Sequence, residues 1–138
     1  MTNDKISSKP LYFAIIILVA VISVLPIVYF GIPDTVDTIQ HYKFADIYYH
    51  SFRNGDFFPS WSDKENYGYG GVGIRFYPPL EYYFLAILRI IVGNWYDATW
   101  ISFMFWMILG SFGIYFWSRC WLSQKHSTIA ACIFVVIP

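Results

Sequence analysis

An uncharged apolar run near the start of the chain constrains this sequence more than any other feature. No charged residue occurs between Lys9 and Asp34, and residues 11–30 are predominantly apolar. A hydrocarbon core about 30 Å thick needs roughly 20 such residues of helix to cross it. A cleavable signal peptide is the alternative, but its apolar region is usually about 7–15 residues long and is followed by a small-x-small cleavage site, which this run lacks. The run therefore predicts a transmembrane helix.

Further apolar segments predict that the chain crosses the membrane more than once. The composition is 57% apolar, 22% aromatic and only 13% charged, whereas soluble domains are about a quarter charged. Residues 98–118 are uncharged and predict another span, and residues 79–95 predict one that carries Glu81 and Arg89. Residues 127–138 begin a fourth span that stops about half-way across. We therefore expect an all-α integral membrane protein, of which this chain is the N-terminal part of one polytopic domain.

The charges beside the first span predict its orientation. Two lysines lie within residues 1–10, whereas Asp34 and Asp37 follow the span. The positive-inside rule then makes residues 1–10 a cytoplasmic tail and places the loop 31–78 outside the plasma membrane. By alternation the connection 119–125 would also lie outside, although it contains an arginine and a lysine. The rule is therefore not satisfied at every connection.

The external loop contains the pattern of an amphipathic helix over residues 35–54. Asp34 is placed as its N-cap with Asp37 at the N3 position, and Asn54-Gly55 ends it. At 100° per residue, charged and aromatic side chains fall on opposite sides. The charged side holds Lys43, Asp46, His50 and Arg53, and the aromatic side holds Phe44, Tyr48 and Phe52. We expect this helix to lie along the membrane surface.

Asp37 and His41 are the strongest candidates for chemistry in this loop. They lie one turn apart and share the aromatic side of the helix with Phe44 and Tyr48. Turning a carboxylate and an imidazole toward an apolar face has a desolvation cost unless a ligand or partner is there. The structural alternative is that Asp37 complements the helix dipole and His41 makes a hydrogen bond in a packed interface.

The glycine-rich stretch after this helix does not predict a nucleotide site. Gly68, Gly70 and Gly73 fit the spacing GxGxxG, but the stretch lacks the preceding strand and following helix that the dinucleotide fingerprint requires. Its glycines are better explained by close approach of the backbone to a ligand or a neighbouring helix. Arg75 could pair with a phosphate or contact a lipid head group. Glu81 lies near the outer interface, facing the loop or snorkelling toward water.

Several classes of function are excluded by what the sequence lacks. A formal charge of zero without a basic stripe argues against nucleic-acid binding. Cys120 and Cys132 have the spacing neither of a metal site nor of a disulfide framework. The sequence has no serine nucleophile elbow, HExxH motif or Walker loop, so hydrolase and nucleotidase activities have no support.

The order of these features resembles the start of GT-C-type membrane glycosyltransferases. The motifs are Asp37-x-x-x-His41 on a helix, the segment 53–61 reading RNGDFFPSW, the segment 67–70 reading YGYG, and the segment 76–80 reading FYPPL. The nearest resemblance is to YfhO-like and pyruvoyl-tetrahydropterin synthase-related membrane domains. It extends over the whole chain, but its specific part is residues 33–83.

The resemblance implies transfer of a sugar from a polyprenyl-phosphate-linked donor to a cell-envelope acceptor at the external face. An acidic residue of the first external loop would act as general base or help to bind a divalent metal, Mg or Mn. Asp37 matches that position, with Asp34 as substitute, and His41 would orient Asp37 or act as second metal ligand. A partly desolvated Asp37 would have a pKa raised toward neutrality, which suits a base. The predicted substrate-binding set is His41, Arg75, Tyr77 and Glu81.

A non-catalytic membrane protein is the second hypothesis. Such a protein would act in lipid or polymer transport or bind a partner, and its external helix would contact lipid head groups. The first hypothesis requires Asp37 for synthesis of the envelope glycan, whereas the second does not.

Overall fold

The computed structural model describes residues 9–63 and 65–137. The described part is all α, as predicted, and its regular structure consists of five α-helices and two short 3-10 helices. The α-helices are α1 Lys9–Phe30, α2 Val36–Arg53, α3 Leu80–Val92, α4 Trp95–Ser118 and α5 Gln124–Val136. The 3-10 helices are Asn66–Gly68 and Gly73–Phe76. Most of the predicted cytoplasmic tail, residues 1–8, lies outside the described residues.

The chain folds as two compact units. One comprises α1 together with the part of the chain from Phe103 onward, and the other comprises Gly31–Ser102. In the first unit Ile16, Tyr115 and Ala131 form a buried cluster that joins α1, α4 and α5. Both α1, with 22 residues, and α4, with 24, are long and apolar enough to cross a membrane. These are the helices predicted for residues 11–30 and 98–118.

Ring contacts place the start of α1 beside the end of α4. Phe13, near the start of α1, packs edge-on against Phe112 and Tyr115 at 5.4 Å and against Phe116 at 6.2 Å between ring centroids. All three partners lie in the last two turns of α4.

A short connection then turns the chain into α5. Ser123 caps the helix by accepting a hydrogen bond from the backbone N–H of His126. Gly110 of α4 faces the ring of Phe134, since a Cβ on that glycine would lie 2.8 Å from the ring. The helices α4 and α5 therefore form an antiparallel hairpin.

Two helices are shorter than a membrane crossing. Both α3 and α5 contain 13 residues, which at 1.5 Å per residue is about 20 Å of helix. For α5 this agrees with the expected partial span. The predicted span over residues 79–95 is helical, but it ends at Gly93, whose φ of +85° forms a left-handed C-cap.

The second unit is organised by the packing of α2 on α3. Phe44, Ala45 and Tyr48 of α2 are buried with Tyr82 and Ala86 of α3. The predicted amphipathic helix is therefore present within one residue of its predicted start and end. Its aromatic face is covered by α3, and its position along the membrane surface stays a prediction.

The contact between Gly110 and Phe134 gives a test of the α4–α5 hairpin. Gly110→Leu should destabilise the fold by about 1–3 kcal/mol, because the new side chain occupies the space of the Phe134 ring. Gly113→Leu is the matched control, since a Cβ there meets nothing within 4 Å. Thermal unfolding in detergent measures both. Equal melting temperatures for the two variants would contradict the hairpin, and Phe134→Ala should rescue Gly110→Leu but not alter Gly113→Leu.

Candidate functional site

The N-terminus of α2 holds the predicted acidic residues, but its cap is not the predicted one. Thr35 has the extended backbone of an N-cap, and its hydroxyl oxygen accepts a hydrogen bond from the N–H of Thr38 at 3.1 Å. The prediction that Asp34 caps the helix is therefore wrong. The helix starts one residue later, so that Asp37 occupies the N2 position rather than N3. A carboxylate in this first turn also complements the helix dipole.

Asp37 is exposed to solvent in the structure. The 100° periodicity does place it on the side of α2 that carries Phe44 and Tyr48, which are 2% and 3% exposed. Tyr77 and Tyr82 cover this side of α2 as far as His41. Asp37 lies about one helical turn beyond His41. The expectation of a desolvated, inward-facing Asp37 is therefore not met, although the assignment of the helical face is confirmed.

His41 is held by two tyrosines. Its Nδ1 lies 2.7 Å from the hydroxyl oxygen of Tyr82, and the two rings stack at 5.9 Å with 29° between their planes. The ring of Tyr77 meets the imidazole edge-on at 5.8 Å. The structure thus brings together two residues of the predicted substrate-binding set, His41 and Tyr77, on α2 and on the turn that precedes α3.

The phenol of Tyr82 is shifted by its surroundings. Burial raises the pKa of Tyr82 to about 12, with smaller contributions from neighbouring Tyr77, Tyr48 and Glu81. The protonated phenol can donate to Nδ1 of a neutral imidazole or accept a hydrogen bond from Nδ1–H. We infer that it donates, which puts the proton of neutral His41 on Nε2 and makes Nε2 a hydrogen-bond donor for an oxyanion or a hydroxyl oxygen.

Glu81 and Arg75 lie apart from this pair. Glu81 accepts a hydrogen bond from the hydroxyl of Ser102 at 2.6 Å and is half-buried between α3 and the start of α4. This contact replaces the snorkelling carboxylate that the sequence suggested. Arg75 is exposed in the short helix Gly73–Phe76, where its guanidinium is open to an anionic ligand.

Contacts within the loop, and one with α2, hold the glycine-rich stretch in place. The backbones of Ser62 and Gly71 form an isolated antiparallel bridge. The carboxylate of Glu65 occupies the space where a Cβ on Gly71 would lie, at 2.5 Å, and accepts a hydrogen bond from Gln40 of α2 at 3.1 Å. The described loop has no strand-to-helix turn around Gly68, which agrees with the rejection of a dinucleotide site.

The same loop presents aromatic rings to solvent. Tyr67 is fully exposed, with a left-handed φ of +58°, and Tyr69 is 83% exposed. Trp61 lies flat against Gly70, whose missing side chain leaves the space for the indole. Exposed rings on a fixed loop can stack on sugar rings or lie at a membrane interface.

The sequence did not indicate two residues whose hydrogen bonds hold α2 and its candidate residue His41. Tyr82 and Glu65 did not stand out, because their roles depend on partners 41 and 25 residues away in the chain. The available signal for Tyr82 was a phenol among apolar residues of a helix, since buried tyrosine hydroxyls usually find a partner. Within residues 9–63 and 65–137 no three His, Cys, Asp or Glu side chains are grouped to hold a metal ion.

Comparison with known families gives one match. Residues 74–138 match the model of the 6-pyruvoyl-tetrahydropterin synthase related domain, described as a membrane protein. The match covers α3, α4 and α5, so this part of the chain is similar to a membrane-protein domain of that kind. It does not reach Asp34, Asp37 or His41. No curated protein and no solved structure matches the chain.

The bond between Tyr82 and His41 can be tested directly. Tyr82→Phe removes the donor, so nitrogen NMR of His41 should change from a predominantly Nε2–H tautomer to a mixture. We expect a stability loss of about 0.5–1.5 kcal/mol from the lost hydrogen bond. Tyr83→Phe is the control, because its hydroxyl donates instead to the backbone oxygen of Phe57. An unchanged His41 spectrum in Tyr82→Phe would contradict the assignment.

Proposed function

We propose that this chain is part of a membrane glycosyltransferase that transfers a sugar from a polyprenyl-phosphate-linked donor to a cell-envelope acceptor. The proposal is supported by the resemblance of residues 33–83 to GT-C-type enzymes and by the membrane-domain match of residues 74–138. The observation that carries it is local. His41, fixed by Tyr82 and flanked by Tyr77, lies one helical turn from the open carboxylate of Asp37.

We infer a membrane topology for the chain from the start of α1 lying beside the end of α4. If both helices cross the bilayer in opposite directions, the chain between them leaves and re-enters the membrane on the same side. A single additional crossing by α3 would turn α4 parallel to α1. We infer that α3 does not cross and that residues 31–94 lie on one side, the external one. This revises the expected span over residues 79–95.

The charges of the connections support this topology. With α3 outside the bilayer, the connection between α4 and α5 lies on the cytoplasmic side with Lys9. That connection holds Arg119, and Lys125 follows at the start of α5. Their placement now satisfies the positive-inside rule, which the simple alternation of four spans did not. Glu81 and Arg89 of α3 are also relieved of a position inside the membrane, where ionised side chains are costly.

The two topologies predict opposite labelling of two sites. Cys120 is a free, exposed thiol in the connection after α4. In a Cys132→Ser background, a membrane-impermeant maleimide should leave Cys120 unlabelled on intact cells and label it after permeabilisation. A cysteine placed by Asn94→Cys, with Cys120→Ser, should be labelled on intact cells. The reverse pattern would show that α3 crosses the membrane.

In the proposed reaction Asp37 takes the proton of the acceptor. The acceptor oxygen forms a bond to the anomeric carbon of the donor sugar as its O–H bond breaks, and the proton passes to the Asp37 carboxylate. The bond from the anomeric carbon to the phosphate oxygen breaks, and polyprenyl phosphate leaves with the electron pair. His41 Nε2–H can donate to a phosphate oxygen of the donor, and Arg75 can pair with the same group.

As the alternative role of these residues, we propose that Asp37 and His41 would hold a divalent metal, Mg or Mn, which would neutralise charge on the donor phosphate. Magnesium is commonly held by one or two carboxylates together with substrate phosphates and water, which fits a site with few protein ligands. For His41 to bind through Nε2, its proton would have to lie on Nδ1, with the Tyr82 oxygen accepting.

Asp37→Asn in the full-length protein tests the catalytic role. We expect transfer of labelled sugar to fall about 10²-fold or more, because a general base contributes roughly 10²–10⁴-fold. Asp34→Asn is the matched control, an exposed carboxylate three residues away, and should retain activity within about 10-fold of wild type. Expression and melting temperature serve to exclude misfolding. Unchanged product from Asp37→Asn, or sensitivity of Asp34→Asn alone, would contradict the assignment, and chelation with EDTA tests the metal in the same assay.

The exposure of Asp37 favours a second candidate, a non-catalytic membrane protein that acts in lipid or polymer transport or binds a partner. The exposed rings of Tyr67 and Tyr69 would then serve for contact rather than catalysis. In this case Asp37→Asn leaves the envelope glycan unchanged, whereas Tyr67→Ala combined with Tyr69→Ala abolishes the phenotype that the wild-type gene complements.

A further inference from the structure

We propose that a groove between α1 and α5 holds an acyl chain of an anionic phospholipid, with Lys125 binding the lipid phosphate. The groove has a volume of about 480 Å³, which lies within the roughly 300–1,000 Å³ of typical ligand sites. Aliphatic side chains from both helices line it, together with Tyr12, Thr128 and Cys132. Lys125 is its only charged lining residue.

The position of Lys125 in α5 places it at one end of the groove. Lys125 lies in the first turn of α5, while the groove continues along α5 as far as Val136. A charged group at one end and hydrocarbon along the rest match an amphiphile that lies parallel to the helices.

The charge of this unit selects an anionic lipid. Residues 9–30 and 103–137 contain no Asp or Glu, but they contain Lys9, Arg119 and Lys125. All three basic residues lie at the same end, because the start of α1 lies beside the end of α4. Clusters of basic residues at the cytoplasmic side of membrane helices attract anionic head groups.

Lipid retention by the full chain tests this inference. The chain is reconstituted with equal amounts of phosphatidylglycerol and phosphatidylcholine, released, and analysed by native mass spectrometry. Wild type should retain one phosphatidylglycerol in preference to phosphatidylcholine, and Lys125→Gln should lower that preference by roughly five-fold. Lys43→Gln, which removes the same charge from exposed α2, is the matched control and should behave as wild type.

A second variant tests the groove itself. Ile133→Trp fills it from an exposed position and should abolish retention of the lipid while Lys125 remains. Equal retention of both lipids by wild type, or wild-type retention by Lys125→Gln or Ile133→Trp, would overturn the proposal. The cytoplasmic assignment of the site rests on the proposed topology, but lipid retention depends on neither topology nor transferase activity. A failure here is therefore distinguishable from a failure of the proposed function.

Discussion

The packing of Phe13 against the last two turns of α4 determines how the rest of the chain can be arranged. It places the start of α1 beside the end of α4, and both helices are long and apolar enough to cross a bilayer. If the two helices cross in opposite directions, as we propose, the segment with α2, α3 and the glycine-rich loop lies on one side of the membrane. The basic connection after α4 then lies on the other side.

Hydrophobic length and periodicity predicted most of the fold from the sequence. Both the run 11–30 and the amphipathic pattern 35–54 are strong local signals, and each is found as a helix within two residues of its predicted ends. Residues 79–95 contain the helix α3, but apolar content alone does not distinguish a membrane span from a helix buried against protein. The buried residues of α3 cover the aromatic face of α2. That pairing cannot be read from either helix alone.

The sequence predicted which side of α2 carries the candidate residues, but it did not predict how exposed Asp37 is. Periodicity placed Asp37 and His41 on the aromatic side of α2, and His41 does meet Tyr77 and Tyr82 there. How far the cover extends along the helix depends on where α3 begins, which no local pattern encodes. Asp37 lies beyond that cover and is exposed. In the proposed chemistry Asp37 would therefore act from an open helix terminus, beside a histidine that is hydrogen-bonded to a buried tyrosine.

Paired cysteines provide the most direct measurement of the central claim, the contact of the start of α1 with the end of α4. In a Cys120→Ser, Cys132→Ser background, Phe13→Cys combined with Phe116→Cys should form an intramolecular cross-link with a short bifunctional maleimide in native membranes. Phe13→Cys combined with Trp100→Cys should not, because position 100 lies about 24 Å further along α4 at 1.5 Å per residue. Cross-linking of position 13 to position 100 rather than 116 would contradict the account and would require α3 to cross the membrane.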